Sequence, residues 1–92
     1  LYVSGEESVR QVASRAQRLG LAATTLKLAA ETQVESILQE ALAARAQVLV
    51  IDSIQTMQTE TSESSAGSAV QVRESAARLV RYAKETGTAV LL

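Results

Sequence analysis

The stretch of sequence with the clearest chemical potential is an acidic residue, Asp52, that follows four aliphatic residues at 48–51. A continuous aliphatic run without alternation predicts a strand covered on both faces, as in a parallel sheet. Open α/β sheets bind ligands at the carboxyl ends of such strands. A carboxylate there suits Mg²⁺, and the neighbouring Ser53 hydroxyl could hydrogen-bond the water around the ion. The same two residues also fit a carboxylate that only ends a strand and a serine that only forms a turn.

A second acidic residue, Glu6, follows another short apolar run and a glycine. A carboxylate just beyond a neighbouring strand could orient or deprotonate a water that attacks a phosphate, if it lies within hydrogen-bond reach. The alternative is that Glu6 and Glu7 lie in the first turn of a helix, where negative charge compensates the helix dipole. If the strands of Tyr2 and Ile51 are neighbours, Glu6 and Asp52 converge on one crevice.

Several other kinds of site are excluded by what the sequence lacks. It has no His and no Cys, which removes a catalytic triad, a thiol nucleophile and the usual zinc ligands. Neither a Gly-x-x-x-x-Gly-Lys-Ser/Thr phosphate loop nor a Gly-x-Gly-x-x-Gly dinucleotide fingerprint is present. The formal net charge of -1 gives no basic field of the kind that marks an autonomous nucleic-acid-binding domain. No apolar run approaches the length that spans a membrane.

The elements that must position these acids alternate between strands and helices. A short strand is predicted over residues 1–4, and a helix follows with apolar residues at helical spacing until Gly20 ends it. After a link at 21–25, a weaker strand is predicted over 26–29.

The next helix is predicted to begin with a capping box that runs from Thr32 to Glu35. Its apolar stripe consists of Val34, Ile37, Leu38, Ala41 and Leu42. The helix leads into the central strand, predicted over 47–51. Residues 53–67 then show no periodicity and are rich in Ser, Thr and Gln, which predicts a functional or mobile loop because the stretch exceeds the usual connection length.

The last helix has its own start and stop signals. Ser68 and Gln71 have the spacing of a second capping box, and Gly87 ends the helix. Glu74 and Arg78 lie at the i,i+4 spacing that favours an ion pair. The predicted buried face consists of Ala69, Val72, Ala76, Leu79, Val80 and Ala83.

With a fourth strand at 88–92, the order of elements is β-α-β-α-β-α-β. This order predicts an α/β fold, a parallel sheet of four strands with right-handed crossovers and helices packed on it. The 92 residues are 47% apolar and contain no Phe or Trp, so they predict one small domain with a thin aliphatic core. Strand-like runs at both ends suggest an internal segment of a longer protein.

Six stretches of the sequence resemble one known family when they are taken together and in order. They are LYVSGEES (1–8), RAQRLG (15–20), AET (30–32), VIDSIQT (50–56), GSAVQVRE (67–74) and AKETGTA (83–89). They look like the bacterial RadA family of DNA repair proteins, also called Sms, and they extend over essentially the whole chain.

The resemblance implies that residues 1–92 are part of a RecA-like P-loop NTPase core whose phosphate loop is not in this chain. Residues 48–52 would form the Walker B strand, with Asp52 and Ser53 holding Mg²⁺ through water. Glu6 would be the catalytic acid that activates the attacking water. The cofactors of the parent protein would therefore be ATP and Mg²⁺.

The resemblance also implies how the parent protein works. It would be a cytoplasmic, DNA-dependent ATPase, a homo-hexameric motor that drives processing or branch migration of recombination intermediates in DNA repair. Its partners would be single-stranded or branched DNA and the recombinase RecA, with no membrane involved. The polar loop after Gln55 would face a central channel that holds single-stranded DNA.

The strand order implied by the resemblance puts the two candidate acids together. The strand of Tyr2 would lie beside that of Ile51, with the strand at 26–29 outside the first and the strand at 88–92 outside the second. Glu6 and Asp52 would then meet where the strand order reverses, in agreement with the crevice expected from the residues alone.

Some features depart from the family pattern. Residues 53–67 contain no basic residue, so the loop has no phosphate partner of its own, and Arg73 is the nearest cation. Ala66 stands where the family would have proline. The 92 residues alone are expected to be inactive, because phosphoryl transfer depends on the phosphate loop for positioning and charge stabilisation. The alternative is a catalytically inactive α/β scaffold or interaction module derived from such a core.

Overall fold

The order of strands and helices along the chain is the one that the sequence predicts. A computed structural model describes residues 1–20 and 26–92, so the link predicted at 21–25 lies outside the described residues. The elements are β1 (Tyr2–Ser4), α1 (Val9–Arg18), β2 (Leu28–Ala30), α2 (Val34–Ala43), β3 (Val48–Asp52), a 3₁₀ helix (Ile54–Thr56), α3 (Ala69–Thr86) and β4 (Ala89–Leu91). The α/β fold is confirmed.

The four strands form one parallel sheet in the order β2-β1-β3-β4. Tyr2 pairs with Leu28 on one side and with Val50 on the other. The chain adds β2 on one side of β1 and then β3 on the other, so the strand order reverses between β1 and β3. This is the order that the family resemblance implies.

Helices cover the sheet on both faces. Val3, Leu49 and Ile51 lie on the face that packs against α2 and α3, and each is at most 2% exposed. Helix α1 packs on the opposite face near β2, where it buries Val12 and Ala16. None of the helices in the described ranges is both long and apolar enough to cross a membrane.

Helix α2 confirms four of the five residues of its predicted apolar stripe but not its predicted cap. Its buried residues are Val34, Ile37, Leu38 and Ala41. The capping box predicted from Thr32 to Glu35 is wrong. The N-cap residue is Gln33, and its side chain makes no capping hydrogen bond. The Glu35 carboxylate instead accepts hydrogen bonds from the Thr59 hydroxyl and the Glu60 amide, which draws it away from the start of the helix.

The predicted apolar face of α3 is only partly buried: Leu79 is buried, Val72, Ala76 and Ala83 are half-buried, and Ala69 and Val80 are exposed. The residues that α3 buries are Gln71, Ser75, Leu79 and Tyr82. Val80 is 47% exposed. Leu42, in the predicted stripe of α2, is also exposed, at 58%. The reason for the α3 difference is that the polar connection covers the first half of the helix and hydrogen-bonds Gln71. A polar side chain can be buried there because its hydrogen bonds are made.

Helix α1 begins later than the first-turn interpretation of Glu6 and Glu7 requires. Its N-cap is Ser8, whose hydroxyl accepts a hydrogen bond from the Gln11 amide at 3.1 Å, while Gln11 Oε1 accepts one from the Ser8 amide at 2.9 Å. Glu6 and Glu7 therefore precede the helix, and no acid lies in its first turn. Ser68 caps α3 through its side chain, which accepts from the Gln71 amide at 3.2 Å. The other half of the predicted capping box does not form, because the Gln71 side chain hydrogen-bonds the connection before α3.

The helix ends that were predicted at glycines are confirmed. Gly20 has φ 72° and Gly87 has φ 75°, the left-handed conformation that glycine adopts without strain. The spacing of Glu74 and Arg78 does not produce an ion pair in the described structure. Arg78 Nε lies instead 3.7 Å from Glu35 Oε2 on the neighbouring helix α2.

Candidate functional site

The carboxyl ends of β1 and β3 meet at one edge of the sheet. Ser4, at the end of β1, is the register partner of Asp52, at the end of β3. The Gly5 amide donates a hydrogen bond to the Asp52 carbonyl at 2.9 Å. Glu6 is the next residue, so the backbone brings it beside the strand end that carries Asp52. The strands of Tyr2 and Ile51 are therefore neighbours, as a shared crevice requires.

Gly5 allows the two strand ends to approach closely. A Cβ atom at this position would lie 1.8 Å from Thr56 Oγ1 and 2.6 Å from Thr56 Cβ, far inside van der Waals contact. Thr56 belongs to the 3₁₀ helix after Asp52, and its hydroxyl donates a hydrogen bond to the Ser53 carbonyl at 2.7 Å. The peptide bond between Asp52 and Ser53 is cis. A residue larger than glycine does not fit here. The close contact between Gly5 and Thr56 therefore sets the position of the backbone from which Glu6 projects.

The Asp52 side chain is exposed and is contacted by Tyr2, whose hydroxyl donates a hydrogen bond to Asp52 Oδ2. This hydrogen bond raises the pKa of Tyr2, and burial and the negative charge of the carboxylate raise it further. Tyr2 lies two residues before Ser4, on the same face of β1, which is why it reaches Asp52 on the adjacent strand. No pattern in the sequence singles out Tyr2, and the strand register is the signal that identifies it.

The two adjacent acids after Gly5 have different partners. Glu7 forms an ion pair with Arg15 of α1, and the Glu7 amide donates a hydrogen bond to Ser4 Oγ at 2.9 Å. The hydrogen bond with Glu7, together with its charge, raises the pKa of Arg15. Glu6 is exposed and makes no ion pair or side-chain hydrogen bond with any residue in the described ranges. Its carboxylate is therefore the one available to a ligand.

An open pocket of about 390 Å³ lies beside these acids, at the ends of β1 and β2. Its lining consists of Ser4, Gly5, Glu6, Glu7, Ser8, Ala30, Glu31 and Thr32. Glu31 Oε1 accepts hydrogen bonds from the amides of Thr32 and Gln33, both at 3.0 Å. Asp52 is outside this lining, but its register partner Ser4 belongs to it. With three carboxylates, the pocket favours a cation or a ligand that carries one.

The donor atoms at this edge of the sheet fit Mg²⁺. Within the described ranges, no group of three or more His, Cys, Asp or Glu residues could hold a metal ion by itself. Mg²⁺ does not need such a group, because proteins usually hold it with one or two carboxylates together with water and substrate phosphates. The exposed Asp52 carboxylate, followed directly by the Ser53 hydroxyl, is compatible with that kind of coordination.

The first half of the connection after Asp52 is part of the folded core. Met57 is 0% exposed and Thr59 is 2% exposed. The Gln58 backbone forms a parallel bridge with the segment before α2, donating to the Thr32 carbonyl and accepting from the Val34 amide, both at 2.8 Å. A polar sequence without periodicity predicts a functional or mobile loop, and residues 57–59 differ from a mobile loop because Met57 and Thr59 are buried in the interior.

Two side chains hold the second half of the connection, and the sequence analysis missed both roles. Gln71 of α3 hydrogen-bonds its backbone, and Glu35 of α2 accepts from the Thr59 hydroxyl and, at 3.2 Å, from the Glu60 amide. Burial raises the pKa of Glu35. The Thr59 hydrogen bond, backbone hydrogen bonds and the Arg78 charge lower it by more, so the pKa of Glu35 lies below its ordinary value.

The outer surface of the connection carries acids and no base. Its exposed residues from position 60 onward are Glu60, Thr61, Glu63, Ser65, Ala66 and Gly67. The nearest cation that follows in the sequence, Arg73, is exposed on α3. Contact between this surface and a nucleic acid would therefore not rely on phosphate binding by the loop itself.

Comparison with known proteins points to one family. The chain is 55% identical, over all 92 residues, to DNA repair protein RadA of Pseudomonas aeruginosa, of which it covers 20%. It is 50% identical to DNA repair protein RadA of Brucella abortus and 49% identical to that of Escherichia coli K12, again with the whole chain aligned. It covers 21% and 20% of these two relatives. No family model matches the chain.

The aligned region extends from the first strand to the last and so covers the strand ends that carry Glu6 and Asp52. The relatives are named for DNA repair, which agrees with the resemblance carried by the sequence motifs. The chain belongs to the bacterial RadA family of DNA repair proteins, and it spans about one fifth of the length of the relatives it matches.

Proposed function

We propose that the chain is part of the ATP-hydrolysing core of a DNA-dependent motor that acts in DNA repair. The observation that carries the proposal is the pairing of Ser4 with Asp52, which puts Glu6 and Asp52 at the same edge of the sheet. Hydrolysis of a γ-phosphate uses one carboxylate for Mg²⁺ and a second group to position the attacking water. Membership of the RadA family supports the DNA repair part of the proposal.

Each acid has a different role in this proposal. Asp52, which hydrogen-bonds the Tyr2 hydroxyl, would hold Mg²⁺ through water, and Ser53 would hydrogen-bond that water. Bound Mg²⁺ would offset the negative charge of the β- and γ-phosphates of ATP. Glu6 is free to orient a water and accept its proton, whereas Glu7 is neutralised by Arg15.

The chain supplies only part of what hydrolysis needs. It contains no phosphate loop, and it covers about one fifth of its relatives. Positioning and charge stabilisation provide most of the catalysis of phosphoryl transfer, so activity belongs to the whole protein and the 92 residues alone are inactive. In this proposal the whole protein is a cytoplasmic homo-hexamer that drives branch migration on single-stranded or branched DNA together with the recombinase RecA.

The proposal is tested in the full-length protein by measuring ATP binding and DNA-stimulated ATP hydrolysis for wild type, Glu6→Gln and Asp52→Asn. Glu6→Gln should bind ATP like wild type and lose at least about 100-fold in turnover, since a general base contributes about 10²–10⁴-fold. Asp52→Asn should lose turnover and also the Mg²⁺ dependence of ATP binding. If both variants hydrolyse ATP at the wild-type rate, the acids are structural and this part of the protein is an α/β scaffold without a catalytic role.

A further inference from the structure

Gln71 is a polar side chain buried against the connection between β3 and α3. It is 2% exposed and lies in the first turn of α3. Its Oε1 accepts a hydrogen bond from the Thr59 amide at 2.9 Å, and its Nε2 donates to the Ser64 carbonyl at 2.7 Å and to the Ser62 carbonyl at 3.5 Å. All three partners are backbone groups of the connection. One side chain therefore ties two points of the loop, five residues apart, to the start of a helix.

Glu35 holds the same loop from the other helix. Its carboxylate accepts hydrogen bonds from the Thr59 hydroxyl and the Glu60 amide, and Arg78 of α3 pairs with it. Thr59 is thus held at its amide by Gln71 and at its hydroxyl by Glu35. We call Gln71 and Glu35 the loop anchor.

The loop between the anchored points also has internal hydrogen bonds. The Ser62 amide donates to the Thr59 carbonyl at 3.2 Å, and the Ser64 amide donates to Ser62 Oγ at 3.3 Å. The exposed side chains therefore project from a defined backbone. Because Gln71 is buried, its amide acts on this backbone and not on any ligand outside the protein.

We propose that Gln71 is a positioning residue that holds the loop from Thr59 to Ser64 in one shape, so that the loop can contact single-stranded DNA. The identity of the ligand rests on the proposed function, whereas the hold on the loop does not. The loop carries Glu60 and Glu63 and no base, so its contacts go to bases and sugars through hydroxyl and backbone groups. Such contacts add affinity without adding to the number of neutralised phosphates.

The first arm of the test measures amide hydrogen exchange in the full-length protein for wild type, Gln71→Met and Gln71→Glu. Gln71→Met has similar length and no amide, so exchange at Thr59 and Ser62 should accelerate by about tenfold, the effect of losing hydrogen bonds of ordinary net strength. The matched control is Gln39→Met, at an exposed position of α2. Exchange at Thr59 that stays at the wild-type rate in Gln71→Met would overturn the proposal.

Gln71→Glu tests the two kinds of hydrogen bond separately, which matters if Gln71→Met lowers the stability of the whole domain. Glutamate retains an acceptor for the Thr59 amide and, when ionised, has no hydrogen to donate to the Ser64 carbonyl. Exchange should therefore accelerate at Ser62 and Ser64 more than at Thr59. Equal acceleration at all three amides and in the core of β3 would assign Gln71 to general stability and overturn its positioning role.

The second arm measures binding of a single-stranded oligonucleotide to the same proteins at several salt concentrations. Gln71→Met should weaken binding by about fivefold or more and leave the slope of log K against log salt unchanged, because no phosphate contact is lost. Faster amide exchange in the loop with wild-type affinity for the oligonucleotide would show that Gln71 does not support DNA binding. A smaller slope of log K against log salt would also overturn the proposal, because it would mean that a phosphate contact was lost. Absence of binding by wild type would overturn the proposed function, and the exchange arm would still decide the hold on the loop.

Discussion

Asp52 and Glu35 are both acids beside the connection between β3 and α3, yet their surroundings differ. Asp52 is exposed at the end of a strand, and its side chain receives a hydrogen bond from Tyr2. Glu35 is partly buried and receives hydrogen bonds from Gln33, Thr59 and Glu60 as well as the charge of Arg78. A similar contrast separates Glu6, whose side chain has no partner among the described residues, from Gln71, whose amide is hydrogen-bonded inside the protein.

A ligand site and a structural anchor can be built of the same residue types and differ in the partners of those residues. Groups that bind a ligand form hydrogen bonds with water until the ligand replaces that water. Groups of the loop anchor have already exchanged water for protein partners, which is why they can be buried. The number of acids in a sequence does not distinguish the two cases, whereas the partners of each acid do.

The largest effect is expected where the two strand ends touch. Gly5→Ala should lower the free energy of unfolding by about 3 kcal/mol, the upper end of the cost of overpacking, because the new Cβ meets the Thr56 side chain. Denaturant unfolding measures the change. Combining Gly5→Ala with Thr56→Gly should cost clearly less than the sum of the two single changes. Strict additivity would show that this contact does not shape the crevice.

A smaller effect is expected at Glu35, and it should depend on pH. The pKa of Glu35 is lowered by its partners, so its contribution is complete above the ordinary value of 4.5 and is lost as the pH falls through the lower folded value. Glu35→Gln should therefore cost about 1 kcal/mol at pH 7 and progressively less in acid. Unfolding measured from pH 7 to pH 3 tests this, with Glu40→Gln as the exposed control on the same helix.

The smallest effect is expected at Tyr2. Tyr2→Phe removes one hydrogen bond to an exposed carboxylate that water can solvate in its place, so stability should fall by less than about 1 kcal/mol. Thermal unfolding of the variant and of wild type measures it. A loss as large as that of Gly5→Ala would mean that Asp52 is anchored like Glu35, and the contrast between the two regions would fail.

The strand order and the pairing of β1 with β3 were within reach of the sequence. The aliphatic run before Asp52, the glycine at the end of β1 and the family motifs all indicate the same arrangement, and the register of Ser4 with Asp52 agrees with it. The buried stripe of α2 was predictable for the same reason, since apolar residues at helical spacing pack on a sheet.

The inner face of α3 and the path of the connection were not predictable from apolar periodicity. Gln71 is buried because the polar connection lies against it and hydrogen-bonds its side chain, and those partners are 7, 9 and 12 residues away in the chain. The cap of α2 was misplaced because Glu35 is drawn to Thr59, another contact distant in sequence. Tyr2 was missed because its partner lies on a strand 50 residues away. Local patterns do not carry such pairings.

Turnover by variants at two neighbouring acids decides whether Glu6 acts on the attacking water. Glu6→Gln and Glu7→Gln change the same group one residue apart, in full-length protein with saturating ATP and DNA. Glu6→Gln should reduce turnover at least about 100-fold, as expected for a group that acts on the attacking water, while Glu7→Gln, which loses an exposed ion pair with Arg15, should stay within about threefold of wild type. Equal effects of the two changes, or a larger one from Glu7→Gln, would contradict the assignment of Glu6.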